Sequence, residues 1–255
     1  MIRVKSDEEI ALMREAGRLT ANTLAMLKDF ALPGVTTERL DTLAHEFICD
    51  NGGKAPCVGY MGYPKAICTS VNEQIVHGIP GKYVLKDGDI VSCDIVAQLN
   101  GWNGDATRTF LIGDVKDEVK KLVKVTEECF YGGIKFARVG YRVSDISKAI
   151  QAHAQKHGYG VIREYIGHGI GRKMHEDPEV PNFYDPKRGR GPMLCKGMTL
   201  AIEPMIALGK PDHVLMPDGW TAYTADKSPC AHYENTIAIT DDAPLILTQS
   251  EDMNE

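Results

Sequence analysis

From Ser6 onward the chain places apolar residues at helical spacing. Ile10, Met13, Ala16, Leu19, Met26 and Leu27 share one face, with Thr23 as its polar member, until Pro33-Gly34 interrupts the pattern. Ser6 followed three positions later by Glu9 is a capping box, so a long amphipathic helix is predicted to begin there. A second helix is predicted from about Thr37 to Asp50. It turns Leu40, Leu43, Ala44, Phe47 and Ile48 inward and stops at Gly52-Gly53.

The pattern then returns at an offset of 106 residues. Gly34 falls on Gly140, Leu40 on Ile146, Ala44 on Ile150 and Gly52 on Gly158, while Met13, Ala16 and Leu19 lie over Val119, Leu122 and Val125. The match is in pattern more than identity, and chance similarity of two helix pairs is its alternative. Strand-like runs follow at Ile67 to Ser70, Ile90 to Ala97, Ala106 to Ile112, Thr199 to Glu203 and Thr236 to Thr240. No low-complexity linker divides the chain. The expectation is an α+β fold in one domain, 1–255, built of half-units at about 1–112 and 113–255 fused around a shared site.

Composition narrows the function classes. Of 255 residues, 43% are hydrophobic and 25% charged, and no apolar run approaches the roughly 18 residues of a membrane span. Met1 to Lys5 runs into the acidic Asp7-Glu8-Glu9 with no apolar signal core, so the expected location is the cytoplasm. Cysteines at 49, 57, 68, 93, 129, 195 and 230 are odd in number and include no C-x-x-C pair, which suits neither a disulfide framework nor a zinc knuckle. A formal net charge of -6 argues against a general nucleic-acid binder. The one basic cluster, Lys187-Arg188-Gly189-Arg190, reads as a solvated loop, with docking to an anionic partner such as ribosomal RNA as the alternative.

The chemistry concentrates in carboxylates. Asp94 stands in the middle of an apolar strand, where an unpaired charge is costly. Asn100-Gly101 favours a type I′ hairpin, which would return a second strand carrying Asp105. With a two-residue loop Asp94 faces Thr107, and Asp105 sits diagonally on the same side, about 7 Å away between backbones. Two acids held together either share a proton or bind a cation. Gly167-His168-Gly169 offers an imidazole between glycines, and Glu203 and Glu234 each lie at or beside an apolar strand. Four carboxylates and one imidazole suit a pair of divalent first-row ions such as Co, Mn, Fe or Zn, not a cysteine-rich structural zinc site. Taken singly, Asp94 or Glu234 also reads as a buried salt-bridge partner, and His168 as a turn residue. The His-Glu-x-x-His motif is absent, because His175-Glu176 is followed by Asp177-Pro178.

The segments Val76-His77-Gly78-Ile79-Pro80, Asp94 to Asp105, Gly167 to Arg172, His175 to Pro178, Ile202-Glu203-Pro204-Met205 and Tyr233-Glu234-Asn235-Thr236 occur in that order. Together, over nearly the whole chain, they resemble the signature of the type I methionine aminopeptidases, bacterial in form, within the wider pita-bread metallopeptidases. The resemblance implies two pseudo-twofold-related halves around a central dinuclear metal site. It implies metal ligation by Asp94, Asp105, His168, Glu203 and Glu234, with Asp105 and Glu234 shared between two ions. It also implies hydroxide attack on the first peptide bond, Glu203 as general base, and His77 and His175 at the scissile amide. The substrate would be a nascent polypeptide N-terminus with initiator methionine and a small second residue, the enzyme a monomer, with ribosome contact as a further expectation.

Cys57, Tyr60, Tyr63, Cys68, Met174 and Trp220 stand where that family lines its methionine pocket, beside His77 and His175. Met174, Met61, His232 and Asn235 depart from the commonest wording, which puts fine specificity and metal preference in question. Prolidases and aminopeptidase P share the five-ligand pattern but usually carry an additional N-terminal domain. Type II enzymes carry a helical insertion between the positions of His175 and Glu234, and a non-catalytic binding module on this fold would have lost ligands.

Overall fold

The computed structural model describes residues 1–250 of the chain. The first helix, α1, spans Asp7–Phe30 and α2 spans Thr37–Asp50. Ser6 Oγ accepts from Glu9 N–H while Glu9 accepts from Ser6 N–H, so the capping box closes in both directions. Thr23, the polar member of the stripe, is buried and donates its hydroxyl to the Leu19 carbonyl 2.7 Å away. Met26, Leu43 and Phe47 are only half-buried, and Leu24 fills the inward position beside Leu27.

Strands β1 (Cys68–Val71), β2 (Gln74–Val76), β3 (Ile90–Leu99) and β4 (Trp102–Leu111) complete the first half. The hairpin between β3 and β4 turns through Asn100 and Gly101 at φ 53° and 77°, the paired left-handed conformation of a type I′ turn. Its register puts Asp94 opposite Thr107 and Asp105 opposite Val96. Helix α1 lies across this hairpin. A Cβ on Gly104 would stand 2.5 Å from the Gly17 Cα, so helix and strand meet backbone to backbone, and Thr20 Oγ1 donates to the Gly104 carbonyl at 2.8 Å. Leu27, Leu40, Ile48, Ile67 and Val91 form the core beneath.

In the second half α3 covers Asp117–Ile134 and α4 covers Val143–Lys156. The bounds of α4 are those of α2 moved by 106 positions, and the glycines that flank the two helices share their backbone conformation: φ is 91° at Gly34 and 90° at Gly140, 76° at Gly52 and 79° at Gly158. These left-handed positions end or precede the helices at little cost only for residues without Cβ.

The remaining strands are β5 (Gly160–Val161), β6 (Gly167–Gly169), β7 (Glu176–Val180), β8 (Thr199–Ile202), β9 (Met205–Ala207), β10 (His213–Leu215), β11 (Ala222–Thr224), β12 (Cys230–His232), β13 (Asn235–Ala238) and β14 (Leu245–Ile246). A five-stranded sheet runs β14-β13-β8-β6-β7, with β1-β3-β4, β10-β11-β2 and β12-β9-β5 as three-stranded sheets. The expected strands are all present with shifted ends; Glu203 lies one residue beyond β8. The chain is α+β, with a second core around Leu122, Phe130, Ile146, Ile150 and Leu200.

Candidate active site

The hairpin β3–β4 brings Asp94 and Asp105 to one cavity, β6 brings His168, the turn after β8 brings Glu203, and the step between β12 and β13 brings Glu234. All five line a single opening of about 350 Å³. One oxygen of Asp105, one of Glu234 and a ring nitrogen of His168 lie within 4.8 Å of one another. His168 Nε2 is 3.8 Å from Asp105 Oδ2 and 3.5 Å from Glu203 Oε1.

Hydrogen bonds from neighbouring segments hold these groups in place. Asp105 N–H donates to Thr236 Oγ1 at 3.0 Å, and that hydroxyl donates to the Asp105 carbonyl, also at 3.0 Å. Thr107 Oγ1 donates to Glu234 Oε2 at 2.8 Å, and Arg108 reaches the Glu234 carbonyl at 2.6 Å. Asn182 Nδ2 holds the Glu203 carbonyl at 3.0 Å. The glycines around His168 have a steric reason: a Cβ on Gly167 would collide with the Ala201 carbonyl oxygen, and one on Gly169 with that of Asp177. His168 Nδ1–H donates to the Gly169 carbonyl at 2.8 Å, which leaves the Nε2 lone pair facing the acids.

The donor groups of the site fit bound cations. Asp105 Oδ1 and Glu234 Oε1 are buried with no hydrogen-bond partner. Burial, and then the neighbouring carboxylates, push Asp105 and Glu203 well above the usual carboxylate range; burial and the Asp94 charge do the same to Glu234. Asp94 rises to about 6 through burial, against a hydrogen bond from Thr107. Burial lowers His168 to about 3, so its imidazole is neutral at neutral pH. Clustered acids with orphaned oxygens and a neutral nitrogen fit divalent first-row ions, whose charge removes the repulsion that otherwise favours protonation.

The expected substrate residues surround the same opening: Cys57, Tyr60, Tyr63, Cys68, His77, Met174, His175 and Trp220. Tyr63 hydroxyl donates to the Ile67 carbonyl at 3.0 Å, and its ring meets Trp220 edge-on at 5.0 Å. Burial pushes the Cys57 and Cys68 thiols up, so both stay neutral and soft. His77 has φ 58° and is packed edge-on against Tyr165 and Trp220 at 5.6 and 6.1 Å. Tyr60 hydroxyl lies 3.1 Å from His175 Nδ1, and the His175 and His168 rings are 4.3 Å apart.

Of the residues that depart from the family wording, Met174 is buried against the cavity. Met61 is 82% exposed at its rim, and His232 stands behind Glu203 with Nε2 3.7 Å from Oε2. Asn235 lies in β13, its side-chain oxygen accepting from Arg108 at 2.8 Å. Glu164, Tyr165 and Ile166 also line the cavity; no motif spacing pointed to them, and their adjacency to Gly167-His168 is the one signal available.

Lys5 was also not anticipated. Its Nζ donates to Glu176 Oε2 at 2.8 Å with both side chains almost sealed, 4% and 7% exposed, which ties the N-terminal arm to the loop of His175. Burial opposes the charge on Glu176, but the Lys5 and Lys173 hydrogen bonds outweigh it and hold this carboxyl below the usual range. Lys5→Met therefore strands a buried carboxylate and is expected to lower stability by about 3 kcal/mol, read as a drop in urea midpoint. Lys5→Met combined with Glu176→Leu is expected to recover most of that loss, and failure to recover would show that packing rather than charge sets it.

Comparison with known proteins adds an independent line. Residues 11–241 match the model of metallopeptidase family M24. The chain is 52% identical over 252 residues to a methionine aminopeptidase of Clostridium acetobutylicum, covering 98% of this chain and 100% of that protein. It superposes on the crystal structure of methionine aminopeptidase from Rickettsia prowazekii with TM-score 0.95 at 42% identity, over 97% of this chain and 100% of that one. A prolidase from Pyrococcus furiosus shares the fold at TM-score 0.78 and 20% identity, with 97% of this chain matching 66% of the other.

Proposed function

This chain belongs to metallopeptidase family M24, and from that premise we propose that it is a methionine aminopeptidase of pita-bread fold that removes the initiator methionine from nascent polypeptides with a small second residue. The observation that carries this reading is the convergence, in one cavity, of a five-residue acid and imidazole cluster with a soft aromatic and sulfur-lined pocket.

Asp94, Asp105, His168, Glu203 and Glu234 would hold the divalent ions, two in number. Such ions supply Lewis-acid chemistry, acidifying water and polarising the scissile carbonyl. The chain's own groups do the rest. Glu203 takes the proton of the attacking water and delivers it to the leaving amine. Tyr60 hydroxyl and His175 Nδ1 are hydrogen-bonded, and in the tautomer where the hydroxyl donates, the neutral ring carries its proton on Nε2 as a donor toward the tetrahedral oxygen. Burial lowers His77 to about 4 and His175 below its ordinary value, so both donate as neutral imidazoles. The methionine side chain fills the pocket of Cys57, Tyr63, Cys68, Met174 and Trp220, whose apolar walls suit an unbranched thioether.

Residues 1–255 act as one catalytic domain, with the halves meeting near 112 and 113, and the enzyme works as a cytoplasmic monomer on chains leaving the ribosome. Among the described residues no helix is long and apolar enough to cross a membrane. The Lys187–Arg190 loop is open to solvent, with Arg188 3.9 Å from Glu179 and Arg190 3.3 Å from Asp145, so its charge is partly matched within the chain.

The test is hydrolysis of Met-Ala-Ser beside Ala-Pro-Ser by apo protein reconstituted in turn with Mn, Fe, Co and Zn. Release of methionine alone, dependent on metal, is the expected result; cleavage before proline would move the chain to the aminopeptidase P branch. Met174→Phe is expected to sharpen the preference for Met over longer apolar first residues by roughly tenfold, the scale of one methylene-sized contact. An unchanged preference profile would remove Met174 from the pocket.

A further inference from the structure

Away from the cavity, α3 and α4 pack side by side, and three metal-ligating side chains meet on their outer surface. His153 and His157 are four positions apart, which sets both imidazoles on one face of α4 and its C-cap. Glu128 comes from α3 opposite them. One ligand atom from each lies within 4.8 Å of the other two, with His153 Nε2 3.0 Å from Glu128 Oε2 and the two imidazole centroids 5.1 Å apart. All three residues are half-buried, open enough to admit an ion and held enough to present a fixed face.

We propose that Glu128, His153 and His157 form a second divalent transition-metal site, of zinc class, that clips α4 to α3 and is separate from the catalytic cluster. Two imidazoles and a carboxylate with solvent at the fourth position are an established zinc donor set, and the nitrogen ligands disfavour magnesium and calcium. The four-residue histidine spacing is that of helical zinc sites, but the intervening residues are Ala154, Gln155 and Lys156, with no glutamate to act as a base. The site is therefore read as a clip between helices, with no base supplied from within the histidine motif. Its place also favours a cation: His153 lies in the last turn of α4 and His157 caps it, where helix carbonyl groups carry partial negative charge. Tyr159 stacks on the His157 ring at 6.2 Å and 26°. A His153–Glu128 ion pair alone would not call for the third group at this distance. Cys129, next to Glu128, is buried beneath the helix and is no part of the donor set.

The test is zinc content after equilibrium dialysis at micromolar free zinc and neutral pH, for the wild-type chain, a His153→Ala/His157→Ala variant and Glu128→Gln. The two variants are expected to hold one zinc ion fewer per chain than wild type, to gain less thermal stability on zinc addition, and to release N-terminal methionine at the wild-type rate. Asp105→Asn is expected to keep the outer ion while losing catalytic metal, so failure of this site and failure of the peptidase reading give different results. Equal zinc content in wild type and both variants would overturn the proposal, as would an equal zinc-dependent rise in Tm.

Discussion

Glu203→Gln is expected to lower kcat by about 10³-fold or more while leaving the metal-free protein as stable as wild type, or more so. On the proposed mechanism the loss follows from removing a general base, which contributes about 10²–10⁴-fold, from a position that also faces Nε2 of His168. The stability has the opposite sign because Glu203 is a cost to the metal-free fold. Burial and the charges of Glu234 and Asp105 raise its pKa, and an amide of the same shape carries no such repulsion. Steady-state kinetics on Met-Ala-Ser, beside melting of the apo forms, check both halves of this expectation. Activity near wild type would take Glu203 out of the proton path, and a large fall in apo Tm would show that its role is architectural.

Metal removal is expected to cost roughly 5–10 °C in Tm at pH 7.5, the effect of an ion present at about a hundred times its Kd on a chain of this size. The dependence on pH has a definite sign. Burial pushes Asp94 up to about 6, and Asp105, Glu203 and Glu234 are raised well above their usual range, again first by burial. A carboxylate whose folded pKa exceeds its unfolded value stabilises the fold while protonated, and that contribution is lost as pH rises from the unfolded pKa, about 4, through the folded one. The metal-free site is thus penalised at neutral pH, where bound cations offset the charge.

His168, lowered to about 3 by burial, stays neutral across this range and does not compete. The metal-induced rise in Tm should shrink as pH falls from 7.5 through 6 toward 5, because protons then occupy the ligands. Scanning calorimetry with and without Mn at these pH values checks it. A rise that holds constant to pH 5 would mean that metal binds elsewhere.

Much of this site could be read from residue order because its parts obey local rules. The Asn100-Gly101 turn sets a two-residue loop, and a two-residue loop leaves one register, so Asp94 opposite Thr107 follows without a structure. The recurrence of α2 in α4 was legible because left-handed glycines and inward apolar positions survive where identity does not. What escaped depends on pairings that no spacing encodes. Thr107 and Glu234 are 127 positions apart, Asp105 and Thr236 131, and Lys5 and Glu176 171. Lys5 in particular sits in a short charged arm, where a surface position is the ordinary expectation, and only the acid waiting behind His175 makes its burial favourable. His232 was visible as an unusual residue beside Glu234, yet its place behind Glu203 comes from β12 pairing with β9.

The most direct test of the central claim, that Asp94, Asp105, His168, Glu203 and Glu234 together hold the ions of a methionine-releasing peptidase, is anomalous diffraction from crystals of the Mn-loaded protein. The account predicts two peaks inside the cavity, each about 2 Å from oxygen or nitrogen atoms of these five side chains. An active, Mn-loaded protein whose peaks lie away from them would contradict it.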